Sequence, residues 1–239
     1  MRRYISLSRF PGKQGFYYFT EFFHLYKMVS IYNPIGTDDL KGELDNAIEN
    51  RVHGISVSMP FKQDVIKYLD YADILVTEHN TCNTILNIDG KLHGYNCDHA
   101  GAAHVLSNIT EDDTVTVLGA GSMGSMIYNM LDPGNRSQLV SPSLNNWDLR
   151  YQPASVVINC TNRGTATPAS PLEHLPEGCR LVIDLTVSDC ELAKQVKSAG
   201  VKYISGQEFY KHQFIKQFKV YTGVNVRDED YEKFRQTRP

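Results

Sequence analysis

Val115-Thr-Val-Leu-Gly119-Ala-Gly121-Ser-Met-Gly124 is an apolar strand that runs straight into G-x-G-x-x-G, and its reading decides the fold. The glycines permit a tight turn, close approach of a pyrophosphate to the backbone, and close packing of the next helix on the strand. That helix presents its free N–H groups and the positive end of its dipole to the phosphates. The apolar run Met126, Ile127, Met130 and Leu131 supplies the helix. A dinucleotide-binding unit also carries an acidic residue about 20 positions on for the ribose hydroxyl, or an Arg for a 2′-phosphate. Here the next strand reads Gln138-Leu-Val-Ser141-Pro-Ser143, with neither.

Strands are expected at Val115–Leu118, Gln138–Val140, Ser155–Asn159, Leu181–Leu185 and Lys202–Ile204. Alternating with helices or loops, they predict a parallel, doubly wound Rossmann-type sheet. Upstream, short strands are read at Tyr4–Leu7, Ile31–Pro34 and Gly54–Pro60, and a hairpin turns at Asp89-Gly90. Between them lie an aromatic-rich helix over Phe16–Met28 and a second, capped by Asp38 or Asp39, through Glu49. Asp64–Leu69 and Asp98–Leu106 read as short helices and Gln207–Tyr221 as a long one; the charged tail from Arg227 is expected to be peripheral. The class is therefore α/β: an N-terminal α/β domain from 1–100 and 207–239, and a nucleotide-binding domain over 101–206.

At 239 residues the chain is long enough for two modest cores. A net charge of −3 without a Lys/Arg block gives no footprint for a nucleic-acid partner. No apolar run reaches membrane-span length, and Ser6, Ser8, Arg9 and Pro11 interrupt any signal-peptide core after Met1-Arg-Arg, so a cytoplasmic protein with no membrane partner is expected. Cys82, Cys97, Cys160, Cys179 and Cys190 are odd in number and lack ligand spacing. They are read as free thiols. His99 and His104 lack the H-E-x-x-H pattern, and no metal site is expected.

Three further stretches carry groups capable of chemistry. In Ser56-Val-Ser58-Met-Pro60-Phe-Lys62, hydroxyls end a strand and a lysine opens the next turn; such a lysine holds an anionic or hydroxylated ligand, or passes a proton. Asn80-Thr-Cys-Asn83-Thr84 and Gly94-Tyr-Asn96-Cys-Asp98 are Asn-rich turns. Taken singly, Lys62 reads as a solvated lysine, Asp98 as an N-cap, and the asparagines as turn formers. Taken together, Lys62 and Asp98 could share a substrate hydroxyl, with Asp98 orienting the lysine.

In this order these stretches resemble the shikimate dehydrogenase family, closest to its shikimate-dehydrogenase-like branch. The resemblance continues through Val157-Ile-Asn-Cys-Thr161-Asn-x-Gly164, Ile183-Asp-Leu and Gly206…Gln213…Gln217-Phe…Tyr221-Thr-Gly223, and covers almost the whole chain. It implies a discontinuous substrate domain, a nucleotide domain, and reversible NAD- or NADP-linked oxidation of a ring hydroxyl of shikimate, quinate or a related cyclic hydroxy acid, within aromatic amino acid biosynthesis. By motif, Lys62 and Asp98 would be the acid–base pair; Ser58, Asn83 and Gln213 would bind ring hydroxyls. Gly119, Ala120, Gly121 and Gly124 would hold the pyrophosphate. A monomer or homodimer is expected.

Four departures bear on that reading. Ser56 stands where the family has Asn. The family's Ser-x-Ser carboxylate clamp is not evident before the first helix: Ser6-Leu-Ser8 sits earlier, and Lys13 could supply the charge instead. Ser141-Pro142-Ser143 replaces Asn-Arg-Thr, with Arg136 ahead of the strand, so cofactor selection leans towards NAD. Val187 replaces a Tyr. An oxidoreductase is the favoured reading, since both Lys62 and Asp98 are present. The alternatives are a non-catalytic ligand-binding paralogue with weakened or lost cofactor binding, and an enzyme of this fold with other chemistry.

Overall fold

The computed structural model describes residues 1–163, 169–186 and 190–236, and all side chains within them except those of residues 136 and 137. Gly164 and Val187, singled out above, lie outside the described residues. The chain divides into two compact units, Met1–Asp98 with Phe214–Pro239, and His99–Gln213. Among the described residues, no helix is long and apolar enough to cross a membrane.

The first unit is built on a six-stranded mixed sheet. Its strands are β1 (Arg2–Ser8), β2 (Ser30–Gly36), β3 (Gly54–Val57), β4 (Tyr71–Ala72), β5 (Thr84–Ile88) and β6 (Lys91–Tyr95), in the order β2-β1-β3-β5-β6-β4. Side chains alternate between the faces of a strand, and β1 shows it. Ile5 and Leu7 join Ile55, Val57 and Ile85 in a core with Leu40, Leu44 and Ala47 of α2 (Leu40–Glu49). Tyr4 turns the other way, onto Phe23 of α1 (Gln14–Leu25) and onto Tyr221. The α1 aromatic stripe packs against Phe214, Phe218, Tyr221 and Tyr231. As expected, Asp39 caps α2, its carboxylate accepting from the Gly42 N–H, and Asp89-Gly90 turns the β5–β6 hairpin.

Three readings of this unit need correction. The helix over Phe16–Met28 stops at Leu25, because Lys27 takes a left-handed conformation at φ 53°. The strand expected to reach Pro60 ends at Val57, leaving Ser58 to Lys62 as a turn with a cis Met59–Pro60 bond. The tail is not peripheral. Its Asp228–Gln236 segment is a helix whose Tyr231 is wholly buried. A short helix at Ile74–His79, here α3, also went unread.

The second unit carries five parallel strands: β7 (Val115–Leu118), β8 (Arg136–Val140), β9 (Val156–Asn159), β10 (Leu181–Asp184) and β11 (Lys202–Ser205). Their order, β11-β10-β9-β7-β8, is the doubly wound 2-1-3-4-5 pattern counted from β8. Both faces are covered, so the three central strands β7, β9 and β10 are apolar almost throughout. One face sets Val115, Val117, Ile158 and Ile183 against Ala102 and Val105 of α4 (Asp98–Leu106), Met126 and Ile127 of α5 (Ser122–Met130), and Phe209. The other sets Leu118, Val140, Val157 and Val182 against Leu192 and Val196 of α6 (Glu191–Ser198). Arg136 belongs to β8 rather than preceding it. The last long helix, α7, spans Gly206–Thr222, and α8 is the tail helix Asp228–Gln236. The division of units falls within α7.

Candidate active site

In the first unit the backbone gathers Lys62, Asn83 and Asp98. Lys62 lies in the turn after β3, where its carbonyl accepts from the Cys82 N–H at 2.8 Å, one residue before Asn83. The Asn83 N–H donates to the Tyr95 carbonyl, and its Oδ1 accepts from the Cys97 N–H at 2.9 Å, one residue before Asp98. The result is a Lys62 Nζ to Asp98 Oδ2 ion pair at 2.6 Å, with side chains 16% and 6% exposed. Asp98 is the first residue of α4, where the helix dipole favours a carboxylate. A mostly buried ammonium with a fixed carboxylate partner has one orientation and a remaining N–H fan, suited to a ligand hydroxyl or carbonyl oxygen. Ser58 is exposed at the end of β3 and bonded through its backbone to Leu7 and Phe61.

Beside this pair lies a buried polar network. The Gln217 amide nitrogen is within bonding range of Thr84 Oγ1 (2.9 Å), Ser56 Oγ (3.1 Å) and the Asn83 carbonyl (3.3 Å). Ser56 Oγ also accepts from the Tyr32 hydroxyl at 2.9 Å and meets the Tyr221 hydroxyl at the same distance. Tyr32 is further bonded to Ser6. Burial pushes both tyrosine pKa values up, that of Tyr221 well above the ordinary range, so these hydroxyls stay protonated. Ser56, read as a shortened Asn, is thus the meeting point of two tyrosines and a glutamine. Gln217, Thr84, Tyr32 and Tyr221 were not predicted as site residues. The i, i+4, i+8 spacing of Gln213, Gln217 and Tyr221 on one face of α7 is a signal for Gln217 and Tyr221, whereas Thr84 on β5 and Tyr32 on β2 carry none. Gln213 is half-buried on that helix and falls in the second unit.

In the second unit, the glycine turn sits between β7 and β9, where the strand order reverses. Gly119 adopts φ +99°, and a Cβ there would stand 3.1 Å from the Cys160 backbone. A Cβ on Gly124 would lie 1.7 Å from the Gly119 carbonyl oxygen, so α5 seats directly on the turn. A Cβ on Gly121 would meet nothing within 4 Å: here the backbone borders open space at the α5 N-terminus. Two close-packed glycines with an open one between them fit a pyrophosphate. The ribose end is different. Ser141-Pro142-Ser143 opens a short 3-10 turn in which the two hydroxyls bond each other at 2.9 Å. Asn146 clamps the turn by accepting from the Ser141 N–H and donating to the Leu139 carbonyl.

Residues 16–85 match the family described as the shikimate dehydrogenase substrate binding domain. Shikimate dehydrogenase (NADP(+)) of Pyrococcus abyssi is 28% identical over 223 residues, 84% of each chain. Over most of its length the chain is therefore similar to shikimate dehydrogenases. Its fold also matches shikimate 5-dehydrogenase from Thermus thermophilus in complex with NADP(H) and shikimate, at TM-score 0.81 and 21% identity over 98% of both chains. Quinate dehydrogenase from Corynebacterium glutamicum in complex with NAD has TM-score 0.81 and 19% identity over 99% of both chains. At such identities these two carry the fold alone.

The five cysteines are all free thiols. Burial pushes Cys82 and Cys97 up to about 12. They are inert packing groups rather than nucleophiles. Among the described residues no group of three or more His, Cys, Asp or Glu could hold a metal ion.

Proposed function

We propose that this chain is an NAD(P)-linked oxidoreductase that interconverts a ring hydroxyl and a ketone on shikimate, quinate or a related cyclic hydroxy acid. The observation that carries the proposal is the Lys62–Asp98 pair, part-buried and 2.6 Å apart. In the oxidation direction Lys62 Nζ, as the neutral amine, takes the proton of the ring hydroxyl; in reduction the ammonium returns it to the carbonyl oxygen. Asp98 holds Nζ in place through their hydrogen bond. Asn83 and Ser58 bind neighbouring ring oxygens, and Gln213 is assigned to the same ligand by motif. Gly119, Ala120, Gly121 and Gly124 hold the dinucleotide pyrophosphate, and the nicotinamide ring supplies the hydride acceptor when bound.

The lean towards NAD rests on Ser141-Pro142-Ser143, which offers a 2′-phosphate no guanidinium. It finds no support in the curated relatives, whose names print NADP(+). We therefore propose that the chain takes either dinucleotide and reads the 2′ position weakly. Calorimetric titration with NAD, NADH, NADP and NADPH, each with and without shikimate or quinate, tests this, followed by a spectrophotometric turnover assay. Saturable dinucleotide binding and hydride transfer are expected. A folded protein that binds none of the four would instead be the non-catalytic paralogue.

A further inference from the structure

The network around Asn83 has a hydrogen-bond direction that backbone groups fix. The Cys97 N–H can only donate, so the Asn83 atom it meets at 2.9 Å is the carbonyl Oδ1. The Asn83 backbone carbonyl can only accept, so the Gln217 atom 3.3 Å from it is the amide nitrogen. That same nitrogen donates to Thr84 Oγ1 at 2.9 Å. With a lone pair occupied, the Thr84 hydroxyl has one proton to give; of its two acceptors, the Cys97 sulfur and Asn83 Oδ1 at 2.7 Å, the amide oxygen is the stronger and takes it. Asn83 Oδ1 thus holds two donors, which use both of its lone pairs. The Asn83 amide N–H₂ donates to no group among the described residues.

We propose that Gln217 and Thr84 are positioning residues that lock the Asn83 amide with its N–H₂ towards the ligand, making Asn83 a donor that selects an oxygen acceptor. This deepens the function proposed above and rests on it for the identity of the ligand. A flipped Asn83 would place N–H₂ against the Cys97 N–H and the Thr84 proton, two donor–donor clashes. The site therefore accepts a hydroxyl or ketone oxygen at that position and rejects an ammonium, which has no lone pair to offer. Thr84 and Gln217 touch no ligand in this scheme. They act through the direction of one proton.

The test compares Thr84→Val, nearly the same shape but without the hydroxyl, with Thr84→Ser, which keeps it, in the full chain. The first readout is the ratio of affinities for shikimate or quinate over their ring-amino analogues. Thr84→Val is expected to lower that ratio about fivefold to tenfold, the weight of one hydrogen bond, and Thr84→Ser to restore it. Gln217→Glu replaces the donor with a carboxylate that draws the Thr84 proton away, and is expected to lower the ratio with the hydroxyl still in place. A merely structural role would change both affinities together and leave the ratio unmoved. The second readout needs no ligand: the side-chain amide proton pair of Asn83 in a ¹⁵N spectrum, assigned by its loss in Asn83→Asp. Its resonances should shift in Thr84→Val and return in Thr84→Ser. If wild-type protein binds none of these compounds, the functional reading fails and the amide resonances alone decide the lock. Resonances and ratios unchanged in a folded Thr84→Val would overturn it.

Discussion

The two units keep different things. In the first, the side chains are interlocked: Lys62 on Asp98, Asn83 on Cys97 and Thr84, Gln217 on Thr84 and Ser56, all within hydrogen-bond distance. In the second, the glycine turn is kept, while the turn after β8 reads Ser141-Pro142-Ser143, with neither an acidic residue nor an arginine. The glycine turn is packed as a pyrophosphate site requires, but the turn after β8 spends its polar groups on itself. A pyrophosphate is read by main-chain N–H groups and a ribose by side chains. A drifting sequence can therefore lose cofactor selectivity long before it loses the cofactor fold.

The sharpest way to break this comparison is Lys62→Ala. Turnover should fall on the order of 10²- to 10⁴-fold while ligand affinity changes far less, measured by steady-state kinetics beside calorimetry. Unchanged kcat would remove the pair from the chemistry. Next in size is Gly124→Ala, whose methyl collides with the Gly119 carbonyl. It should cost roughly 1–3 kcal/mol of stability and weaken dinucleotide binding, read by thermal melting and titration. Full retention of both would show that α5 can lift off the turn.

A third test concerns the support beneath the second sheet. Asp113 accepts from Thr110, Ser155 and the Arg180 guanidinium, which hold its carboxyl far below the usual carboxylate range. A folded-state pKa below the unfolded one stabilises above the unfolded pKa, near 3.9, and loses that stability as pH falls towards the folded value. Asp113→Asn should cost about 2 kcal/mol at neutral pH and flatten the acid limb of the stability profile below about pH 4. An identical acid limb in the variant would place the sensitivity elsewhere. The smallest effect is the cofactor ratio. NAD and NADP affinities should differ by less than about tenfold, about 1.4 kcal/mol, since Ser141-Pro142-Ser143 itself carries no guanidinium for the 2′ position. A hundredfold preference for NADP would reveal a cation the β8 turn does not supply.

What could be read in advance follows the range of the interactions. Asp39 as a cap, Asp89-Gly90 as a turn and Gly119–Gly124 as a strand-to-helix bend are local, and their residue types announce them. The tail was misjudged because its charged residues conceal Tyr231 and Phe234, which pack on Tyr18 and Phe22. Gln217 lies 133 positions from Thr84 and 161 from Ser56, and no local pattern announces that pairing. Lys62 and Asp98 were legible as a pair only through the order of motifs, because each alone has an ordinary local role.

The return of α7 and α8 to the first unit also sets an order of assembly. The second unit is one uninterrupted stretch, His99–Gln213, whereas the first needs both ends of the chain. A ribosome therefore delivers every strand of the second unit while Phe19, Phe22 and Phe23 still lack Phe214, Phe218 and Tyr231. During synthesis the nucleotide fold can close first. The aromatic stripe of α1 meanwhile waits uncovered, a surface that a holding chaperone would recognise until the final helices emerge.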